Sequence, residues 1–263
     1  MSPATAVEKA AANSERITSL HYRVAGTVPD KGRLEAEASM NSEPLTMGMK
    51  LNAIDQGGDG QLEVRFVDEV MYVGGSAIDV EKLDGKSWLS ADSAVWGRGT
   101  ADNQSYGVLP RQIEGNPAVQ STFLTASKDV RSIGTETIDG TRTTHYRGTV
   151  TMTGIGAARD AAVSTAARER QIDRLDQFIA MRIKGTLTVD LWIGDNNHAR
   201  QFRMRGDTYA TRSREDKALE IIDGEPLDLT FTFLDVNQPA TIEAPPSEDT
   251  ADLAAQVDEI QAG

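Results

Sequence analysis

Between Tyr22 and Val67 apolar residues recur at every second position in four successive runs. Tyr22, Val24 and Gly26 alternate with Arg23, Ala25 and Thr27. Leu34, Ala36, Ala38 and Met40 alternate with Glu35, Glu37 and Ser39. Leu45, Met47, Met49 and Leu51 alternate with Thr46, Gly48, Lys50 and Asn52, and Leu62, Val64 and Phe66 alternate with Glu63, Arg65 and Val67. A period of two sends neighbouring side chains to opposite faces of a strand. The stretch therefore predicts an antiparallel sheet with one apolar and one wet face. Turn residues separate the runs: Pro29-Asp30-Lys31-Gly32, Glu43-Pro44 and Gly57-Gly58-Asp59-Gly60.

The rest of the chain extends this pattern. Pro3 to Leu20 reads as a helix, with Val7, Ala10, Ala11, Ser14 and Ile17 at three- and four-residue steps. Val70 to Val73 continues the meander, and Ile78 to Leu83 reads as a short helical turn. Residues 91–116 are polar and irregular, and Pro117 to Ala126 reads as helical. Asp139-Gly140 joins two strands as a hairpin. Gly154 to Ile183 reads as one long amphipathic helix with Ile155, Ile172, Leu175, Ile179 and Ile183 near one face. Strands follow at Leu187–Ile193, around Phe202 and Met204, and at Leu229–Phe233. Asp249 to Ile260 reads as a loose helix.

No alternation of strand and helix occurs, which argues against a parallel sheet. The expected class is α+β: a curled, mainly antiparallel half-barrel of about 10–11 strands, with a few helices on its concave side. Residues 1–245 are expected to form a single domain, and 246–263 an acidic tail.

Composition narrows the function. Asp and Glu number 40 against 27 Lys and Arg, a net charge of −13. Such a chain repels phosphate backbones, so no nucleic-acid partner is expected. Cys is absent, which removes thiol catalysis and thiolate metal sites. The histidines, His21, His145 and His198, lack the spacing of a metal pair. No nucleophile signature of the Gly-x-Ser-x-Gly kind occurs. Thr151-Met152-Thr153-Gly154-Ile155-Gly156 opens like a dinucleotide fingerprint, but Arg159 stands where a third small residue belongs. No catalytic residue, metal or cofactor is therefore assigned. No run is long and apolar enough to span a bilayer, and no export signal precedes Met1. A monomer, soluble in this form, is expected.

Val70-Met71-Tyr72-Val73-Gly74, Leu83-Asp84-Gly85-Lys86-Ser87-Trp88, Ile138-Asp139-Gly140-Thr141-Arg142-Thr143-Thr144-His145-Tyr146 and Leu187-Thr188-Val189-Asp190-Leu191-Trp192-Ile193 follow in a telling order. In that order and spacing the chain resembles the LppX/LprG-type lipoproteins of mycobacteria and related actinobacteria, over most of residues 5–245. The resemblance implies the half-open barrel of the LolA and LolB carriers, with an apolar cavity. It also implies export, an N-terminal lipid anchor and residence on the outer face of the cytoplasmic membrane. The anchoring cysteine and its lipobox are missing here. Two readings reconcile this: a soluble form beginning after the lipidated residue, with Met1 supplied for expression, or a natural secreted variant.

Strand parity alone then nominates the cavity wall: Tyr22, Val24, Leu34, Met47, Met49, Leu62, Val64, Phe66 and Met204, with Phe123 from a helix. Methionine suits a surface that adapts to varied apolar ligands. The leading expectation is a non-enzymatic carrier of an acyl-chain lipid or lipidated molecule. The alternative is a regulatory lipoprotein that binds the extracytoplasmic part of a membrane sensor kinase or transporter. The 91–116 loop, with Trp96 and Tyr106, and the acidic tail are that reading's expected contact surface.

Overall fold

A computed structural model describes residues 1–53, 60–92, 108–213 and 219–253. In chain order the strands are β1 (Ser19–Val28), β2 (Gly32–Ser42), β3 (Leu45–Ala53), β4 (Gln61–Val67), β5 (Val70–Gly74), β6 (Trp88–Asp92) and β7 (Arg131–Ile138). They continue as β8 (Thr141–Thr151), β9 (Thr186–Gly194), β10 (Ala199–Gly206), β11 (Tyr209–Ser213), β12 (Leu219–Asp223), β13 (Leu227–Val236) and β14 (Thr250–Asp252). Twelve of them form one sheet, ordered β14-β6-β5-β4-β3-β2-β1-β13-β10-β9-β8-β7, and β11 with β12 forms a separate ribbon. Every described pairing in the large sheet is antiparallel except β14 on β6. The sheet is unclosed, and the fold is the expected α+β half-barrel.

Register follows the alternation. Tyr22 stands opposite Ala38 and Phe233, and Val24 opposite Ala36 and Phe231. Met49 faces Ala38 and Val64, and Phe66 faces Met47 and Met71. Apolar residues thus line up row by row on one face, because a shift of one residue would move them all to water. Gly26 allows the closest approach in the ladder. Its φ is +144°, and an added Cβ would lie 2.0 Å from the Asp228 carbonyl oxygen of β13.

Among the described residues five α-helices occur: α1 (Pro3–Ser14), α2 (Arg111–Glu114), α3 (Pro117–Gln120), α4 (Met152–Asp160) and α5 (Thr165–Ala180). In α1 the Ser2 hydroxyl accepts from the Thr5 amide and Pro3 fills the first turn, while Ala6, Val7, Ala10 and Ala11 are buried. This helix ends at Ser14, short of the expected Leu20, because the two-residue period of β1 takes over at Ser19.

The long helix expected over 154–183 is two helices. Ser164 caps α5 by accepting from the Ala167 amide, and Val163 in the break is fully exposed. The break resets the helical phase. The face turned inward on α5 carries Arg174 and Phe178, while Ile172 and Ile179 are exposed. Both helices are inserted between β8 and β9, which pair directly from Thr143 to Thr151.

Beyond β13 the described chain turns back along the sheet. Residues 240–243 cross the polar face of the sheet. Asn41 donates to the Ala240 carbonyl and accepts from its amide, and Arg65 donates to the Glu243 carbonyl. Ile242 packs over Gly48. A short 3₁₀ turn at Ser247–Asp249 leads into β14. The expected helix from Asp249 is a strand over 250–252, and the remainder of that stretch, like most of the 91–116 loop, lies outside the described residues.

Candidate functional site

The apolar face of the sheet is the candidate site. Of the ten residues that strand parity nominates, Tyr22, Val24, Leu34, Met49, Val64, Phe123 and Met204 are each at most 1% exposed. Met47, Leu62 and Phe66 are half-buried and pack against the same cluster. The structure thus gathers all ten around one interior. At such low exposure these seven side chains are packed on all sides, so the interior is filled around them.

The filling comes from residues that parity could not nominate. Ile113 of α2, Leu124, Ile155 of α4, Phe178 of α5 and Met181 are buried in the same core. Phe123 meets Phe178 edge-on, with ring centres 6.2 Å apart. On the sheet side Phe202 stacks on Phe231 at 4.6 Å and meets Phe233 edge-on at 5.8 Å. Burial pushes the Tyr22 phenol well above its ordinary pKa, so it stays neutral in this apolar wall.

Where α5 meets α1 and the 112–122 segment, the packing changes character. Arg174 is 4% exposed; its Nε donates to Thr122 Oγ1 at 2.6 Å and its guanidinium to Glu15 Oε1 at 2.7 Å. Arg170 reaches the other Glu15 oxygen at 3.2 Å. Burial lowers the Arg174 pKa from its ordinary value, and Glu15 opposes that shift. Ser121 donates to Ser14 at 3.1 Å. The side-chain oxygens of Gln120, Gln171 and Gln177 are buried and lack a hydrogen-bond partner among the described residues. Gly115 lets these amides close in, since an added Cβ would lie 2.5 Å from Gln120 Nε2 and 2.9 Å from Gln177 Oε1. One seam of the helical cover is therefore polar and incompletely satisfied.

The opposite face carries charge. His145 Nδ1 lies 2.8 Å from Glu136 Oε1, and its Nε2 lies 2.6 Å from Asp190 Oδ1. The ring stacks on Trp192 at 4.2 Å, and the Trp192 indole donates to Glu136. Arg147 and Arg205 also donate to Asp190. Burial alone would raise the Asp190 pKa, but hydrogen bonds from Arg147, His145 and Arg205 outweigh it and hold the carboxyl below its usual range. Glu136 is lowered too, first by the Trp192 indole and then by His145. This cluster ties β7, β8, β9 and β10 together and lies on the far side of the sheet from the apolar site.

No protein-family model matches the chain. Over 156 residues it is 29% identical to a 31.2 kDa protein encoded in the rplA–rplJ intergenic region of Streptomyces griseus. That match takes in 58% of this chain and 47% of the relative, so the chain spans about half the relative's length. The solved structure of LprF from Mycobacterium bovis aligns over 93% of this chain and 97% of its own, with a TM-score of 0.52 at 14% identity. The chain shares its fold with LprF. The lipoprotein LppX of Mycobacterium tuberculosis aligns over 92% of this chain and 98% of its own, with a TM-score of 0.49 at 14% identity. On the alignment with LprF, the fold that the resemblance implies is the fold observed.

Proposed function

We propose that this protein is a non-enzymatic, extracytoplasmic carrier that holds an acyl-chain lipid or lipidated molecule between its sheet and its helical cover. The observation that carries the reading is the construction of that cover. The apolar sheet face is closed by α1, the turn carrying Phe123 and Leu124, α4 and α5, and of these α4 and α5 are an insertion between two strands that already pair with each other. That inserted part of the cover can lift without breaking a hydrogen bond of the β8–β9 ladder. Its polar seam supports the same reading, because the buried oxygens of Gln120, Gln171 and Gln177 gain water when it opens. Leaving a buried acceptor unpaired costs about 1–3 kcal/mol, a penalty that opening relieves. An acyl chain then replaces the apolar contacts of Phe178 and Met181, at about 0.8 kcal/mol for each methylene buried. The wall we assign is Tyr22, Val24, Leu34, Met47, Met49, Leu62, Val64, Phe66 and Met204, with Phe123 beneath the cover.

Native mass spectrometry of the protein from an actinobacterial host, followed by organic extraction, tests this. The expected result is a discrete added mass released as an acyl lipid. A bare protein that also takes up no lipid from vesicles overturns the proposal.

A further inference from the structure

A broad hollow lies on the polar face of the sheet, away from the apolar interior. It is a groove of about 1050 Å³, floored by β13, β1, β2, β3 and β4 and walled by residues 240–243. Five strands at about 4.8 Å spacing make it about 20 Å across, the reach of about six extended residues.

Its floor has an ordered charge pattern. Arg23 faces Glu37, Glu37 faces Lys50, and Lys50 faces Glu63, so charge changes sign at each strand. The ion pairs that form turn out of this row. Arg23 pairs with Asp139, Glu37 with His21, and Glu63 with Arg65. Lys50 stands between two carboxylates, and its ammonium makes no ion pair or hydrogen bond among the described residues. On either side of the row the floor drops at Ala25 and Gly48.

A bilayer surface or a nucleic acid needs a field of one sign, and alternating charges cancel at a distance. At contact range, the same alternation selects a ligand that carries both signs. An extended polypeptide already lies on this face. The chain's own 240–243 segment is held through its backbone by Asn41 and Arg65, with Ile242 seated over Gly48. We infer that the groove beside this segment docks an extended segment of a partner protein bearing both acidic and basic side chains. The inference is independent of what the apolar interior holds.

Synthetic peptides of about eight residues test it, with Lys and Glu alternating around Thr, beside all-Lys and all-Glu versions. The expected result is preferential binding of the mixed-charge peptide, read by fluorescence anisotropy. Lys50→Glu is expected to weaken it about tenfold and to shift preference toward the all-Lys peptide. Ala25→Trp, which fills the floor without changing charge, is expected to weaken it similarly. Both positions are exposed, and circular dichroism checks that each variant folds. No binding by any peptide overturns the inference. So does equal binding of the single-sign peptides, binding that both variants leave unchanged, or displacement of the peptide by anionic vesicles.

Discussion

Met49 packs between Ala38 and Val64 with 1% of its surface exposed. A side chain so enclosed behaves as core, and Met49→Ala is expected to cost about 2–5 kcal/mol. Urea unfolding followed by tryptophan fluorescence measures it; a loss below about 1 kcal/mol would mean that the wall has room around it. Asp190 answers to pH instead. Its folded pKa lies below the unfolded value of about 3.9. The stabilisation it gives is therefore complete above that value and is lost as pH falls through the folded one. Asp190→Asn is expected to flatten the fall in stability below about pH 4, and to cost about 1–3 kcal/mol at pH 7 by stranding Arg147 and Arg205. Melting temperatures of both proteins across that range decide it. Asp190 shows how far the sequence reaches at this scale. Its parity, opposite to Val189 and Leu191, was readable. Its partner His145, 45 residues away, depends on a strand register that no local pattern encodes.

Among the elements, α5 is the informative one. Its contact with α1 runs through Arg174, which bonds Thr122 and Glu15 from a buried position. Arg174→Met removes those bonds while keeping bulk. It is expected to speed hydrogen exchange in α4 and α5 about tenfold, or ~1.4 kcal/mol of local opening, and to leave β1 to β4 unchanged. A uniform change across the chain would show instead that the cover and the sheet open only together. The helical pattern over 154–183 was legible as amphipathic. Its inward face was misread because Ser164 starts a new helix, so spacing counted across the break loses phase. The same limit applies to Pro117–Ala126, which resolves into α3 and a 3₁₀ turn at Phe123–Ala126. Short helical pieces are set by the core they cover more than by propensity.

For the molecule as a whole, class and face assignment were legible because alternation repeats over so many strands, from Tyr22 to Phe233. The path of the chain after Phe233 was not. Residues 240–243 carry no period, and only Asn41, Gly48 and Arg65, on strands far back in sequence, reveal where they lie. The order of the sheet has one more consequence. Two meanders, β1 to β6 and β7 to β10, are each local, but β13 joins them by pairing with both β1 and β10. Val24 thereby meets Phe231 across most of the sequence, and closing so long a loop is slow as well as entropically costly. Folding of the intact sheet must wait until nearly all of the chain has emerged. Until then β1 and β10 present bare edges, the state in which this protein is most exposed to mispairing.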